Sequence, residues 1–535
     1  MSHFIGILGG LVIFLYGLQK TNTNLRQAFG HKLQVLIEKI SHHYHLALLL
    51  GIFLTFTMQS STAATSLLVG LVNTGIMSLS QGMQIIIGTS LGTTIATQII
   101  TFNIAQNALI LIIVGFALNL LSKKRRFQFT GSVLLGIGFI FLGMNLISTF
   151  AEPLKNNPDF IGWIMQLQET PFFVFLLSVL ATIILQSSTA MMGLTLSFSV
   201  QGIIPLTLAI PVILGSHLGS CTTVLFVGIG KTSQAKTLTF GNLLYKIIGC
   251  IVFFNLMKPL SVIATSITPY LPRQIALIHT IIIGGNALII SPFLSYFMLF
   301  LHKLFPQSQQ EASQYQAKYL DHNLLESPEL AIYVAKKEAI RMANTIDEMF
   351  TGIMQVFFRQ DENLLYKLCK LDKIVDTLSR KIIDYITHLN FNELNRHQSN
   401  ETYDLLNIIS DLEHIGDLID KDIIPIIEKM IDNELQLSDA GNKEIRKLYQ
   451  AVYKEFYQSL GAFALGDKRL AEKSLLKNQV IIQNEQKMRR SHINRLHQGV
   501  ELSRQTSSIH FEMINILKQI SLHSASIAKI IFNQT

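Results

Sequence analysis

The sequence predicts an all-α chain in two parts, a polytopic membrane domain followed by a soluble helical bundle, and three observations carry that prediction. The first is charge. Residues 1–305 hold 15 Lys or Arg but only four acidic residues, Glu38, Glu152, Asp159 and Glu169, whereas residues 306–535 hold 28 basic and 31 acidic ones. The second is the length of the uncharged runs: no Asp, Glu, Lys or Arg occurs from Ile40 to Ser122, or from Thr170 to Gly230. About 20 apolar residues of helix cross the hydrocarbon of a bilayer, so runs of this length hold transmembrane segments. The third is a change of period past Phe305. There apolar residues recur at three- and four-residue spacing between polar faces, as in helices that pack together in water.

The same facts exclude other classes. The net charge of +8 sits on the membrane part, where basic residues orient loops rather than bind nucleic acid. Three cysteines, Cys221, Cys250 and Cys369, are too scattered for a disulfide framework or a zinc site. The first apolar run, Phe4 to Leu18, lacks a basic n-region and a cleavage site, so it reads as a retained helix.

Taken in order, that first span is followed by a polar segment with Lys20, Arg26, Lys32 and Lys39, which suits an amphipathic helix on the membrane surface. Residues 45–75 are apolar but interrupted at Gln59-Ser60-Ser61-Thr62. That is long for one span and right for two half-helices in a re-entrant hairpin. Spans at 82–100 and 104–121 follow, joined by a turn at Asn103, and then the basic cluster Lys123 to Arg126. A second round has a span at 131–148, an outer loop to Glu169, a second interrupted run at 171–200, and a span at 203–226. A loop with Lys231 and Lys236 leads to spans at 237–256 and 274–304. Placing the basic loops in the cytoplasm puts the N-terminus outside an inner membrane and everything past 305 inside. Beyond a linker at 306–325, amphipathic patterns at 326–360, 363–391, 399–431, 441–467, 470–502 and 505–533 predict two three-helix bundles.

The two rounds are copies. Gln-Ser-Ser-Thr-Ala at 59–63 returns at 186–190, and the same offset of 127 superposes Gly75 on Gly202, Gly88 on Gly215, and Leu91-Gly92 on Leu218-Gly219. An offset of 126 aligns Phe14-Leu-Tyr-Gly17 with Ile140-Phe-Leu-Gly143. Repeat 1 thus spans about 1–122 and repeat 2 about 130–256. Three crossings separate them, which turns the second upside-down relative to the first. Inverted repeats with broken helices are a signature of secondary transporters. Lipid cannot hydrogen-bond a hydroxyl or an amide, so each polar pentapeptide faces protein, water or a substrate.

The doubled Gln-Ser-Ser-Thr-Ala, each followed 29 residues on by a Gly-x-x-Leu-Gly stretch, resembles the type II sodium/phosphate cotransporter family. The C-terminal helices resemble the PhoU-like domain that many bacterial members append. Asp411-Leu-Glu-His-Ile-Gly-Asp417 matches its Glu-x-x-x-Asp signature, Leu371-Asp-Lys-Ile-Val-Asp376 is a weaker match, and His510-Phe-Glu to Ser526-Ile-Ala looks like its closing helix. The resemblance implies that Gln59, Ser60, Ser61, Thr62, Gln186, Ser187, Ser188 and Thr189 bind inorganic phosphate, with sodium held nearby. The chemistry agrees: half-helix N-termini offer free N–H groups and a positive dipole end, and six hydroxyls add donors. Carbonyl oxygens of the unwound tips and the Gln59 and Gln186 side chains are hard ligands that suit sodium.

The sequence also departs from the family. Where the family has Gly-Ala-Asn-Ile-Gly-Thr-Thr, this chain has Gly88-Thr-Ser-Leu-Gly-Thr-Thr94 and Gly215-Ser-His-Leu-Gly-Ser-Cys221. His-Leu-Leu-Phe-Asn becomes Asn242-Leu-Leu-Tyr-Lys246, and His279-Thr-Ile-Ile-Ile283 lacks the Asn of a matching family motif. Ser90, Thr93, Thr94, His217, Ser220, Asn242 and Lys246 are therefore the candidate ion and coupling residues. Lys246 stands about ten residues into a span, where a lysine is costly. It either replaces a bound cation, contacts the anion, or snorkels to the cytoplasmic surface. His217 could carry a proton, as could His279, or either could pack as a neutral side chain. In the soluble part, Asp372, Asp376, Glu413 and Asp417 stand at i, i+4 spacing on two helices. They could hold a divalent metal, as PhoU-like domains do, or line solvated faces.

The expectation is a sodium-coupled secondary transporter of inorganic phosphate, working by alternating access, with a cytoplasmic domain that docks a regulatory partner, and with a homodimer as a further expectation. Its alternatives are a phosphate exporter, a sodium-independent anion transporter and a non-transporting phosphate sensor. The spans contain no acid/base pair and no nucleotide loop, so an enzyme is not expected.

Overall fold

A computed structural model describes residues 3–21, 44–101, 108–122, 125–305, 316–359, 361–391 and 394–534. The surface helix expected around Arg26, Lys32 and Lys39, the turn at Asn103, Lys123 and Lys124, and the first part of the linker lie outside the described residues. Among the described residues the regular structure is entirely helical. The chain divides into two compact units, Met1–Gln309 and Gln310–Thr535.

In the first unit, helix α1 is His3–Thr21. It is followed by α2 (Tyr44–Met58), α3 (Ser61–Asn73), α4 (Leu79–Ile100), α5 (Ala108–Leu121) and α6 (Arg125–Ala151). Next come α7 (Pro158–Glu169), α8 (Pro171–Leu185), α9 (Ser188–Val200), α10 (Leu206–Gly219), α11 (Cys221–Gly228) and α12 (Ser233–Asn255). The unit closes with α13 (Met257–Ile267), α14 (Leu271–Ile290) and α15 (Leu294–Leu304). Among the described residues, six helices or near-continuous helix pairs are long and apolar enough to cross a membrane: α1, α4, α6, α10 with α11, α12, and α14 with α15. Large apolar side chains such as Ile113, Leu120, Phe172, Leu288 and Leu299 point outward. That arrangement suits lipid and not water. The chain is a multi-pass membrane protein.

The duplication is built into the packing. Helix α2 lies along α4 and α8 along α10, and glycines let the backbones touch. A Cβ on Gly88 would meet the Leu48 carbonyl at 2.2 Å, and one on Gly215 the Phe175 carbonyl at 2.4 Å. One turn on, Gly92 faces Ile52 O and Thr55 Cβ at 3.0 and 2.6 Å, and Gly219 faces Val179 O and Thr182 Cβ at 2.7 and 2.8 Å. Each of these pairs sits 127 residues from its counterpart. Only a residue without Cβ permits such an approach.

Helices α1 and α6 make a second symmetric contact. A Cβ on Gly10 would meet Gly143 O at 2.9 Å, and one on Gly17 would meet Gly136 O at 2.7 Å. The helices therefore run antiparallel. Under the 126-residue offset Gly10 corresponds to Gly136 and Gly17 to Gly143, so exchanging the copies maps the contact onto itself, as at a two-fold interface.

Several elements differ from the sequence expectation. The outer loop before Glu169 contains α7, capped by Asn157 Oδ1, which accepts from Phe160 N at 3.1 Å, with Pro158 at its first position. None of the side chains of α7 is buried, and it turns through 106° into α8. The 203–226 span is interrupted at Ser220. The 274–304 span is broken into α14 and α15 at Ser291-Pro292, where proline removes a backbone donor. A separate helix, α13, fills the stretch between the last two expected spans.

In the second unit, helices α16 (Pro328–Arg359), α17 (Glu362–Thr387) and α18 (Arg396–Asp417) pack as one three-helix bundle. A π-turn at Leu418–Ile423 carries α18 into α19 (Ile424–Asp432). Helices α20 (Asp439–Leu465), α21 (Lys468–His497) and α23 (Ser507–Asn533), with the short α22 (Glu501–Gln505) between the last two, form the second bundle. The chain entering this unit is clasped by Glu338. Its buried carboxylate accepts from Lys318 N and Tyr319 N at 2.8 and 2.6 Å and from Arg341 Nε at 2.5 Å.

Candidate functional site

Both pentapeptides break a helix in the same way. Gln59 and Gln186 take left-handed backbone angles, φ 45° and 52°. A non-glycine residue held there costs about 1–2 kcal/mol. Ser60 and Ser187 then turn extended, with φ −152° and −149° and ψ 111° in each. Each caps the next helix through its hydroxyl, which accepts from Ala63 N and Ala190 N at 3.1 Å in both copies. The cap satisfies the third N–H of α3 and α9. The first two, on Ser61 and Thr62 and on Ser188 and Thr189, fall in the turn where an α-helix has no partner for them. A hydroxyl that accepts one bond still has a proton to donate. Each tip therefore concentrates N–H groups, hydroxyls and the positive end of a helix dipole. Even the exits match, with Gly75 and Gly202 at φ +69° and +70°.

The ground behind the tips differs between the copies. In repeat 1, Ser90, Thr93 and Thr94 are buried on α4. Thr93 and Thr94 donate to Ser90 O and Leu91 O within their own helix, both at 2.7 Å. Thr89 approaches Thr65 of the hairpin at 3.4 Å between hydroxyl oxygens, and Thr55 donates to Thr89 O at 2.8 Å. In repeat 2, the corresponding region gathers α10, α11, α12 and α14. Lys246 Nζ donates to Ser220 Oγ at 2.9 Å, and Ser220 in turn donates to His217 O at 2.8 Å. Asn242 Nδ2 points at Cys221 Sγ, 3.7 Å away. His217 lies within electrostatic reach of both Lys246 and His279. The structure thus brings together His217, Ser220, Asn242 and Lys246. It places Lys246 14th of the 23 residues of α12 and 5% exposed, in the middle of the helix rather than near an end.

Asn286 belongs to the same region and escaped the sequence reading. It is 1% exposed, donates from Nδ2 to Tyr245 O at 3.0 Å, and packs against Gly249. Its signal was present: an amide deep in an apolar span, seven residues after His279 and hence on the same helix face.

In the second unit, Asp372, Asp376 and Asp417 come together, with a carboxylate oxygen from each within 4.8 Å of the others. Glu413 does not join them. It is turned to α17, where Ser379 Oγ donates to its Oε2 at 2.5 Å. Asp420, inside the π-turn, lies near the trio instead. Burial, reinforced by the charges of Asp420, Asp376 and Asp417, pushes the Asp372 carboxyl up to about 6. Burial raises Asp420 too. Lys421 offsets part of this charge through a 2.7 Å ion pair with Asp417. Asp372 Oδ1 is buried without a partner among the described residues. Hard oxygen donors, mutual repulsion and one orphaned oxygen fit a divalent cation of the magnesium or calcium kind.

Comparison with known proteins agrees with this division. Residues 13–149 and 156–268 match the family described as Na+/Pi-cotransporter, and residues 339–421 match the PhoU domain. A protein of Salmonella typhimurium provisionally named inorganic phosphate export protein YjbB is 24% identical over 537 residues, covering 100% of this chain and 98% of its own length. Its namesake in Escherichia coli K12 is 24% identical over 538 residues with the same coverage. An uncharacterised Bacillus subtilis protein, YqeW, is 24% identical over 306 residues, 57% of this chain but 99% of its own length. No solved structure matches the chain. With both family matches falling on the units the packing defines, the chain belongs to the Na+/Pi-cotransporter family and carries a PhoU domain in its C-terminal unit.

Proposed function

We propose that the chain is a secondary active transporter of inorganic phosphate, working by alternating access between two inverted copies of one hairpin-bearing repeat. The observation that carries this reading is the pair of tips: a left-handed Gln, a capping Ser and an open helix N-terminus, repeated at an offset of 127. The antiparallel contact of α1 with α6 supports the inversion. In this reading Gln59 to Thr62 and Gln186 to Thr189 form two walls of one anion site, and N–H groups and hydroxyls take the place of the phosphate's water. Sodium is the coupling ion, held by tip carbonyls and the Gln59 and Gln186 oxygens. The N-terminus lies outside and the PhoU domain in the cytoplasm, where Asp372, Asp376 and Asp417 would hold a divalent cation that links its two helices and a regulatory partner docks. Names of the full-length relatives speak of export, and alternating access runs in whichever direction the gradients dictate.

The test is labelled phosphate flux into proteoliposomes of the full chain, with and without a sodium gradient. Saturable flux that the sodium gradient stimulates is the expected result. Saturable flux indifferent to sodium would replace the coupling ion and keep the transporter. Phosphate binding with no flux would make the chain a sensor instead.

A further inference from the structure

Among the described residues of the first unit, Lys246 is the one buried Lys or Arg side chain, and no carboxylate faces it. The acidic residues described there, Glu152, Asp159 and Glu169, are all exposed and lie at the ends of α6 and α7. Lys246 donates to the neutral hydroxyl of Ser220 and also reaches the thiol of Cys221, neither of which carries a carboxylate's charge. A buried ammonium without a counter-charge is among the costliest arrangements in a membrane interior.

Four buried polar atoms on the packed helices α10, α12 and α14 lack a protein partner among the described residues: His217 Nε2, in electrostatic reach of Lys246, His279 Nδ1, in reach of His217, Asn242 Oδ1, one turn before Lys246, and Asn286 Oδ1, beside Tyr245 and Gly249. Their side chains are 8%, 5%, 1% and 1% exposed. A buried polar atom left unpaired is costly, so several on neighbouring helices call for a partner, which a polar ligand can supply. The sign of the fixed charge selects the ligand. A fixed ammonium out of water repels a second cation and attracts an anion. The ammonium and a protonated imidazole nitrogen can donate to an oxyanion, and the two amide oxygens can accept from the hydroxyl that a phosphate monoanion or dianion still carries.

The packing also fixes the height of Lys246. Thr65 meets Thr89, and a Cβ on Gly82 would lie 2.9 Å from Val72, so α3 and α4 run antiparallel. Gly82 faces Leu238 and Gly241 faces Met83, so α12 runs in the direction of α4. Asn73, at the end of α3, accepts from Thr232 N at 2.9 Å, at the start of α12. From that shared level, Lys246 lies about 21 Å along α12 and Ser60 about 20 Å back along α3, at 1.5 Å per residue. Taken from Gly82, which touches both Val72 and Leu238, Lys246 lies about 12 Å along α12 and Ser60 about 18 Å back along α3, so the two registers place Lys246 within about 6 Å of the level of the first tip's cap.

We propose that Lys246 Nζ is a ligand of the transported oxyanion, holding it beside the first hairpin tip with Asn242 and His217 flanking it. This rests on the reading of the chain as a phosphate transporter and names a residue that the tip motifs do not. The test is the KM for labelled phosphate in proteoliposomes of the full chain, for wild type, Lys246→Gln, Lys246→Met and Lys246→Arg. Each variant is first checked for a monodisperse elution profile in detergent. Lys246→Gln or Lys246→Met should raise KM at least tenfold, and Lys246→Arg should recover most of that loss. An unchanged KM in either uncharged variant overturns the proposal. If neither is monodisperse, Asn242→Ala and His217→Ala decide: a phosphate KM raised at least threefold in either supports the site, and a KM equal to wild type in both overturns it. Absence of flux in wild type, with phosphate still bound, would instead sink the transporter reading while leaving a tenfold binding loss in Lys246→Gln to be seen.

Discussion

The two repeats of the membrane unit share a backbone and differ in chemistry. Their tips agree within 10° in every angle that defines them, and their glycine crossings occupy matching positions. Behind the tips they part. Repeat 1 spends its threonine hydroxyls on nearby carbonyls, whereas repeat 2 buries Lys246, His217 and Asn242 with polar atoms left over. On the proposed reading as an alternating-access transporter, the comparison separates two jobs. Symmetric parts are what alternating access needs, because two equivalent states require two equivalent halves. Asymmetric parts are where a ligand is told apart from its competitors, since one ligand need not be symmetric. The second unit repeats the lesson: of two three-helix bundles, one gathers carboxylates near the surface and the other buries Glu455 at its core.

The largest effect should come from attacking what the copies share. Gly88→Ala and Gly215→Ala each drive a methyl into a backbone carbonyl, so the hairpin must separate from its partner helix. Overpacking in a rigid interior costs about 1–3 kcal/mol and more where backbone is in the way. Both variants should lower Tm in detergent by several degrees and abolish phosphate flux. Gly75→Ala is the control. Its Cβ meets nothing within 4 Å, and only the φ of +69° opposes it, so the loss should be about 1 kcal/mol. Equal damage from all three would break the claim that the crossings matter most.

A smaller and opposite effect is expected from Glu455. Burial pushes its carboxyl up to about 8, against hydrogen bonds from Ser521 and Asn478 that favour the charged form. The folded value lies above the unfolded one near 4.5, so the native state holds the extra proton between them. Stability is then greatest below about pH 4.5 as far as this group goes, and falls as pH rises toward 8, with a slope of up to about 1.4 kcal/mol per unit. Glu455→Gln should flatten the dependence of Tm on pH between 5 and 8 in the second bundle. A slope unchanged by that substitution would assign the effect to other groups.

Much of the fold was legible because its signals are local. Uncharged runs gave the spans, and the pentapeptides announced the breaks, since four polar residues in lipid have few alternatives to a tip. The amphipathic period fixed the six long helices of the second unit. What escaped was either masked by a weaker cue or non-local. Helix α7 carried its start signal in Asn157-Pro158, but Asp159 and Glu169 made the stretch read as a loop. Glu413 shares a helix face with Asp417, and only the neighbouring helix reveals that Ser379 claims it. Asn286 needed a partner 41 residues away, the Tyr245 carbonyl, before its isolation in the span acquired a meaning.

The most direct test of the central claim, that the two tips are walls of one phosphate site, uses the glutamines. Glycine adopts a positive φ without penalty, so Gln59→Gly and Gln186→Gly keep the bend and remove only the side chain. The phosphate KM in proteoliposomes should rise above wild type in both variants by similar factors of ten or more, with Tm unchanged or raised. A normal KM in one of them, with the other impaired, would contradict the account by showing that a single tip binds the anion.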